Sequence, residues 1–244
     1  MKNIKAIPVE KRIIFALDVA SLDAAKAWVE RLESHVRFFK VGLELFLAGW
    51  FDIVEWILNR DLEVMVDLKF FDVPETVASA VKQLKDRGAT FATVHGNDKI
   101  IKAAVESKGE TKILAVTVLT SLDQADIQAL GFQCDVEELV FSRAKRALDL
   151  GCDGVVSSGI EAPRLRQGLG DKLLIVVPGV RPVYNETDKS GVTWGDDQKR
   201  ITTVIDAFSN GADHIVVGRP IRNADDPIEL VKKMQQDIEG VFGS

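Results

Sequence analysis

The sequence predicts an α/β protein of the (β/α)8 or TIM barrel class, a single domain, on three observations. Eight short runs rich in β-branched and apolar residues recur along the chain. Each is followed by a stretch with apolar residues at helical spacing, and polar or charged residues repeatedly stand where the runs stop. A βα unit repeated eight times at intervals of about 25 to 35 residues is the arithmetic of such a barrel, which takes ~250 residues; the chain has 244. A doubly wound open sheet is the alternative architecture.

The first run, residues 13–17, is ended by Asp18, and the stretch after it puts Ala24, Trp28, Val29 and Leu32 on one helical face. The second, 38–41, carries Lys40 just before Val41-Gly42. The third, 64–68, ends in Asp67 and Lys69, ahead of Ala78, Val81 and Leu84 at helical spacing. The fourth, 92–95, stops on His95, and the fifth, 113–118, is followed by Thr120. The sixth is 154–157. The seventh, 173–177, runs into Pro178-Gly-Val180 and Arg181, and the eighth, 214–217, into Gly218 and Arg219. The C-terminal ends of barrel strands form the ligand-binding face, so these residues converge on one rim.

No Gly/Ser/Pro-rich linker interrupts the series, which makes residues 1–244 one domain. The segment 181–200 stands out: it is polar, contains Gly191, Trp194 and Gly195, and exceeds the roughly 2 to 6 residues usual for a βα connection. On that face of a barrel it is a candidate mobile lid. Trp28, Trp50 and Trp56 lie in helical patterns and read as packing residues.

Composition narrows the function. Net charge is −6, with 37 acidic against 31 basic residues and no basic cluster, which argues against nucleic acid as the main partner. An anionic ligand must therefore find its positive charges locally. Cys134 and Cys152 have neither C-x-x-C spacing nor a second pair, so no disulfide framework or thiolate metal site is indicated. His35, His95 and His214 are not spaced as a metal cluster. No run has the length of a secretory or membrane-spanning segment, and the expectation is a cytoplasmic protein with no membrane partner.

The chemistry concentrates in Asp67, Lys69 and Asp72, a D-x-K-x-x-D pattern at the end of the third run. Side chains alternate across a strand, so Asp67 and Lys69 point to the same side, and an ammonium among carboxylates stays protonated, as a proton donor must. A lysine on the inward face would be costly to bury without a partner or a task. Asp72 has a competing explanation as the N-cap of a helix, with proline in the first turn and Glu75 completing a capping box. Gly179 and Arg181, with Gly218 and Arg219, occupy the positions where such barrels hold a phosphate: glycine admits backbone N–H groups and arginine offers a fork of donors. His95 reads as a hydrogen-bonded residue of a barrel layer.

Together these segments resemble the orotidine 5′-phosphate decarboxylases of bacterial type. The resemblance runs through Leu17-Asp-Val-Ala20, Lys40-Val-Gly42, Asp67-Leu-Lys-Phe-Phe-Asp-Val-Pro-Glu-Thr76, Val94-His-Gly96 and Val116-Thr-Val-Leu-Thr-Ser121. It continues through Pro178-Gly-Val-Arg-Pro182, Gly195-Asp-Asp-Gln-Lys-Arg200 and Val217-Gly-Arg-Pro-Ile221, in the family's order.

The resemblance implies removal of CO2 from orotidine 5′-monophosphate, giving uridine 5′-monophosphate, without metal or organic cofactor. It implies a charge chain Lys40, Asp67, Lys69 and Asp72, in which Lys69 stabilises and protonates the C6 carbanion. It also implies a homodimer in which Asp72 and Thr76 serve the neighbouring subunit's site. Asp18 matches a ribose ligand and Thr120 with Ser121 the region at the pyrimidine edge. Pro178, Arg181, Gln198, Gly218 and Arg219 match the phosphate-binding region, with Gln198 bridging phosphate and base.

The D-x-K-x-x-D element alone is shared with metal-dependent sugar-phosphate enzymes of related barrel type. The alternatives are therefore a magnesium-dependent 3-keto-gulonate-phosphate decarboxylase or hexulose-phosphate synthase, or a non-catalytic nucleotide-phosphate binding barrel. Lys40 places a cation where those metal enzymes carry a glutamate, which would repel the ion.

Overall fold

All eight runs become parallel strands of one closed barrel, in sequence order around the ring, in the computed structural model, which describes residues 6–182 and 200–243. The strands are β1 (Ile13–Ala16), β2 (Phe38–Gly42), β3 (Glu63–Phe70), β4 (Phe91–His95), β5 (Lys112–Val116), β6 (Gly154–Val156), β7 (Leu174–Val177) and β8 (His214–Val217). β8 pairs back onto β1 through Ile13 and Ile215, which closes the ring. The sheet and the connecting helices match the predicted class; the open sheet is excluded. Every strand end falls within two residues of that expected. β3 is longer, continuing through Lys69 to Phe70.

Period-two alternation sorts the strand residues into two cores. Ile14, Phe38, Met65, Phe91, Leu114 and Val176 fill the inside of the barrel. Phe15, Phe39, Val64, Val66, Ala92 and their neighbours face outward and pack against the helices. Parity then decides what lies above the inner layer. Lys40 follows Phe38 by two residues, Asp67 follows Met65 and Thr93 follows Phe91, so all three belong to the inward set, nearer the C-terminal rim.

The opposite end is closed by carboxylates that take the amide of a strand's first residues. Asp153 accepts from Ile113 N–H and pairs with Lys108, while Asp213 accepts from Ile175 N–H and pairs with Arg166. These contacts tie neighbouring strands together at that end and assign it to stability.

His214 sits in the same closed end. Its ring packs edge-on against Phe38 and Phe91, and its Nδ1–H donates to the Lys11 carbonyl over 2.9 Å. Burial pushes its imidazole down to about 4. Above the ordinary value near 6.5 both the folded and unfolded chains carry it neutral. Between that value and about 4 the unfolded chain takes up a proton that the folded chain refuses, so stability falls as pH falls. From pH 7.5 to pH 5 this one group removes about 2 kcal/mol. Urea unfolding of the wild type and of His214→Leu at the two pH values should differ in pH dependence by that amount. Equal pH dependence would show that His214 titrates normally.

Among the described residues no helix is long and apolar enough to cross a membrane.

Candidate active site

The C-terminal rim surrounds a cavity of about 420 Å³. Lys40 on β2 and Asp67 and Lys69 on β3 line it, together with Asp18 just after β1. Thr120 and Ser121 reach it from the segment after β5, Pro178 and Arg181 from that after β7, and Gly218 and Arg219 from that after β8. Ten of the residues singled out in the sequence thus converge. Gln198 and most of the expected lid lie outside the described residues.

On one wall the charges alternate. Lys40 Nζ lies 2.8 Å from Asp18 Oδ1 and 3.7 Å from Asp67 Oδ2, and Lys69 Nζ lies 2.9 Å from Asp67 Oδ1. Within one chain the series is therefore Asp18, Lys40, Asp67, Lys69, with Asp18 at the end where the charge chain had no expected member. The Lys40 and Asp67 side chains are 10% and 12% exposed, that of Lys69 36%, so Lys69 is the accessible end and the other two are its support.

Burial alone would lower the Lys40 ammonium below the usual lysine value, but Asp67 and Asp18 outweigh it and hold the ammonium above that value. Burial likewise works against Asp67, and Lys40 and Lys69, with hydrogen bonds from Lys69 and Thr93, outweigh it and hold the carboxyl below the usual range. Both partners remain charged because each is surrounded by opposite charge.

Asp67 and Lys69 do meet on one side, but not by simple pleating. The β3–β4 register shifts between Val66 and Phe70, and Lys69 has φ +48°, in the left-handed region. Thr93 on β4 contacts both: its hydroxyl donates to Asp67 Oδ1 and accepts the Lys69 backbone N–H, each over 2.9 Å. The sequence reading missed Thr93. Its signal was a polar residue at the inward parity of Phe91 within an otherwise apolar run.

Asp72 and Thr76 are exposed and do not line the cavity of their own chain. The expected capping box is absent. The helix Pro74–Lys85 takes Val73 as its N-cap, at φ −58° and ψ 148°, with no side-chain cap. Pro74 forces the preceding residue into extended backbone, so Val73 cannot be the first helical residue that an Asp72 cap requires. Asp72 Oδ1 instead accepts from the N–H of Val73. His95 is likewise corrected: it packs edge-on against Phe71 at 5.7 Å rather than joining a hydrogen-bonded layer among the described residues. Burial, with Arg143 and Lys69 nearby, lowers its imidazole below the usual value.

Across the ring, Gly179 has φ +73°, a turn that suits glycine and brings Arg181 to the cavity. A Cβ on Gly218 would stand 3.1 Å from that of Ala16, so the β8 end lies close against β1. An unanticipated buried pair braces the segment after β5. Arg200 pairs with buried Glu161 and donates to the carbonyls of Val118 (3.1 Å) and Leu119 (2.9 Å), immediately before Thr120.

Residues 11–234 match the family model described as Orotidine 5′-phosphate decarboxylase / HUMPS family. A protein of Methylococcus capsulatus named orotidine 5′-phosphate decarboxylase is 58% identical over 241 residues, 98% of this chain and 97% of that one. One of the same name from Xanthomonas euvesicatoria is 43% identical over 235 residues, 95% and 93% of the two chains. The crystal structure of orotidine 5′-phosphate decarboxylase from Lactobacillus acidophilus superposes with a TM-score of 0.79 at 32% identity, covering 93% of this chain and 99% of that one.

Proposed function

Since this chain belongs to the orotidine 5′-phosphate decarboxylase / HUMPS family and decarboxylates orotidine 5′-monophosphate to uridine 5′-monophosphate, we propose that Lys69 stabilises the C6 carbanion and returns a proton to it. The observation that carries this reading is the alternating series Asp18, Lys40, Asp67, Lys69, whose accessible ammonium faces the cavity. The C6–carboxylate bond breaks with its electron pair left on C6, in the plane of the ring, where the π-system cannot delocalise it. CO2 departs, the carbanion takes a proton from Lys69 Nζ, and solvent returns one to the amine. A fixed positive charge that needs no reorganisation is the term that lowers such a barrier most.

Asp67 orients Lys69 and lies beside the departing carboxylate. Lys40 and Asp18 approach the ribose, and Thr120 and Ser121 the pyrimidine edge. Arg181 and Arg219, with the backbone at Pro178 and Gly218, hold the phosphate. β7 and β8 stand across the barrel from β3, so phosphate binding energy is available to fix the ring against Lys69 without touching the reacting carbon. The reaction in this reading uses neither metal nor organic cofactor. Lys40 supports that, since it occupies the space between the two cavity carboxylates that an ion would need.

The homodimer belongs to the same proposal. Leu43, Leu47, Phe71 and Val73 are 61%, 83%, 69% and 59% exposed, the first two in the helix that follows β2 and the last two on either side of Asp72 in the segment after β3. Apolar side chains so placed favour an isologous contact that carries Asp72 and Thr76 to the partner's cavity. The cytoplasm is the proposed compartment, in keeping with two free cysteines.

The direct test is spectrophotometric: purified protein should consume orotidine 5′-monophosphate at an unchanged rate in EDTA. Loss of activity that magnesium restores would overturn the metal-free mechanism.

A further inference from the structure

Asp67 and Lys69 lie in the part of β3 where strand pairing fails. Val66 is opposite Ala92 and Phe70 is opposite Val94, so Asp67, Leu68 and Lys69 stand against Thr93 alone. A strand that carries extra residues against its neighbour leaves amides without their ladder acceptors, and a buried amide must find another. For Lys69 that acceptor is the Thr93 hydroxyl, 2.9 Å from the amide nitrogen.

The same hydroxyl has one proton to give, and it goes to Asp67 Oδ1, the oxygen that also receives Lys69 Nζ. Thr93 is 0% exposed, so water cannot stand in for either bond. One side-chain oxygen thus holds the backbone of Lys69, which sits at a φ that side-chain-bearing residues avoid, and the carboxylate that orients its ammonium.

We propose that Thr93 is a positioning residue of the decarboxylation: its hydroxyl locks the Lys69 backbone and the Asp67 carboxylate together, fixing where the ammonium meets C6. The proposal rests on the reading of Lys69 as the proton donor. A threonine kept only for packing would be replaced by valine, of nearly the same shape, without consequence at the site. A positioning threonine would not, because valine offers Lys69 N–H no acceptor and Asp67 no donor. Misplacement of a reacting group by about 1 Å lowers turnover by about 10²-fold.

The test compares Thr93→Val and Thr93→Ser with the wild type. Turnover is expressed per uridine 5′-monophosphate site counted by calorimetry, so that unfolded protein cannot mimic a catalytic defect. Thr93→Val should lower kcat by about 10²-fold with KM for orotidine 5′-monophosphate nearly unchanged. Thr93→Ser, which keeps the hydroxyl, should recover most of that loss. Should the valine chain yield no binding sites, Thr93→Ala serves in its place. A hydroxyl-free variant with wild-type kcat per site, or a serine variant as impaired as valine, would overturn the proposal. Lys69→Ala separates the two levels: if it still turns over, the donor assignment fails and Thr93 with it; if it is inactive while Thr93→Val is active, Thr93 alone fails.

Discussion

Lys69→Ala is expected to lower the turnover of orotidine 5′-monophosphate by about 10⁵-fold, while the protein still folds and binds uridine 5′-monophosphate. The size follows from two losses. A unit charge about 4 Å from the developing carbanion, at an effective dielectric near 20, contributes roughly 4 kcal/mol, or about 10³ in rate. Removing the positioned acid costs a further ~10²-fold or more.

The fold has little reason to respond. The Lys69 side chain is 36% exposed, so its truncation opens no core cavity, and Asp67 keeps Lys40 at 3.7 Å and the Thr93 hydroxyl at 2.9 Å. Alanine at φ +48° meets the same Cβ clash that lysine already meets. Circular dichroism and calorimetric titration with uridine 5′-monophosphate check the fold, and product formation in single-turnover mixtures checks the chemistry. Turnover above a tenth of wild type would remove Lys69 from the central role.

Refolding a mixture of Lys69→Ala and Asp72→Asn chains should recover about a quarter of wild-type activity from two nearly inactive parents. With Asp72 acting across a two-fold interface, half of the dimers formed are mixed. Each mixed dimer has one doubly damaged site and one intact site, built from the Lys69 of one chain and the Asp72 of the other. If Asp72 served its own chain, every site in the mixture would carry one defect and no activity would return. If Asp72 acted only at the start of its helix, Asp72→Asn alone would remain active. The geometry that motivates the test is the exposure of Asp72 and Thr76 outside the cavity of their own chain, beside exposed Phe71 and Val73.

The barrel was legible because its signal is local: β-branched runs with polar ends need only the period of a strand and the convention that ligands meet strand C-termini. The same signal located Asp18, Lys40, Asp67, Arg181 and Arg219. What depends on pairing between strands was not legible. The D-x-K spacing predicted simple alternation, whereas Asp67 and Lys69 meet through a register shift and a left-handed residue. Neither can be read without knowing which residues of β4 lie opposite. Thr93 escaped for the same reason. Arg200 and Glu161, 39 positions apart, form a buried pair that only the closed ring brings together. Asp72 misled because helix-start chemistry is shared by many turns, and the extended backbone before Pro74 moved the cap by one residue.

The uneven count of residues between β3 and β4 also bears on how such a chain can drift. Removing Leu68, or adding a neighbour to it, would change three-against-one pairing into two or four against one. Lys69 would then leave both its hydroxyl anchor and the cavity, although every residue type of the site were still present. At Leu130–Gly131, by contrast, Leu130 is exposed and a Cβ on Gly131 would meet nothing within 4 Å, so the chain has room there to change length. A change of length around the barrel can leave the site intact, but the span from Asp67 to Lys69 acts as a ruler that the site cannot lose or lengthen.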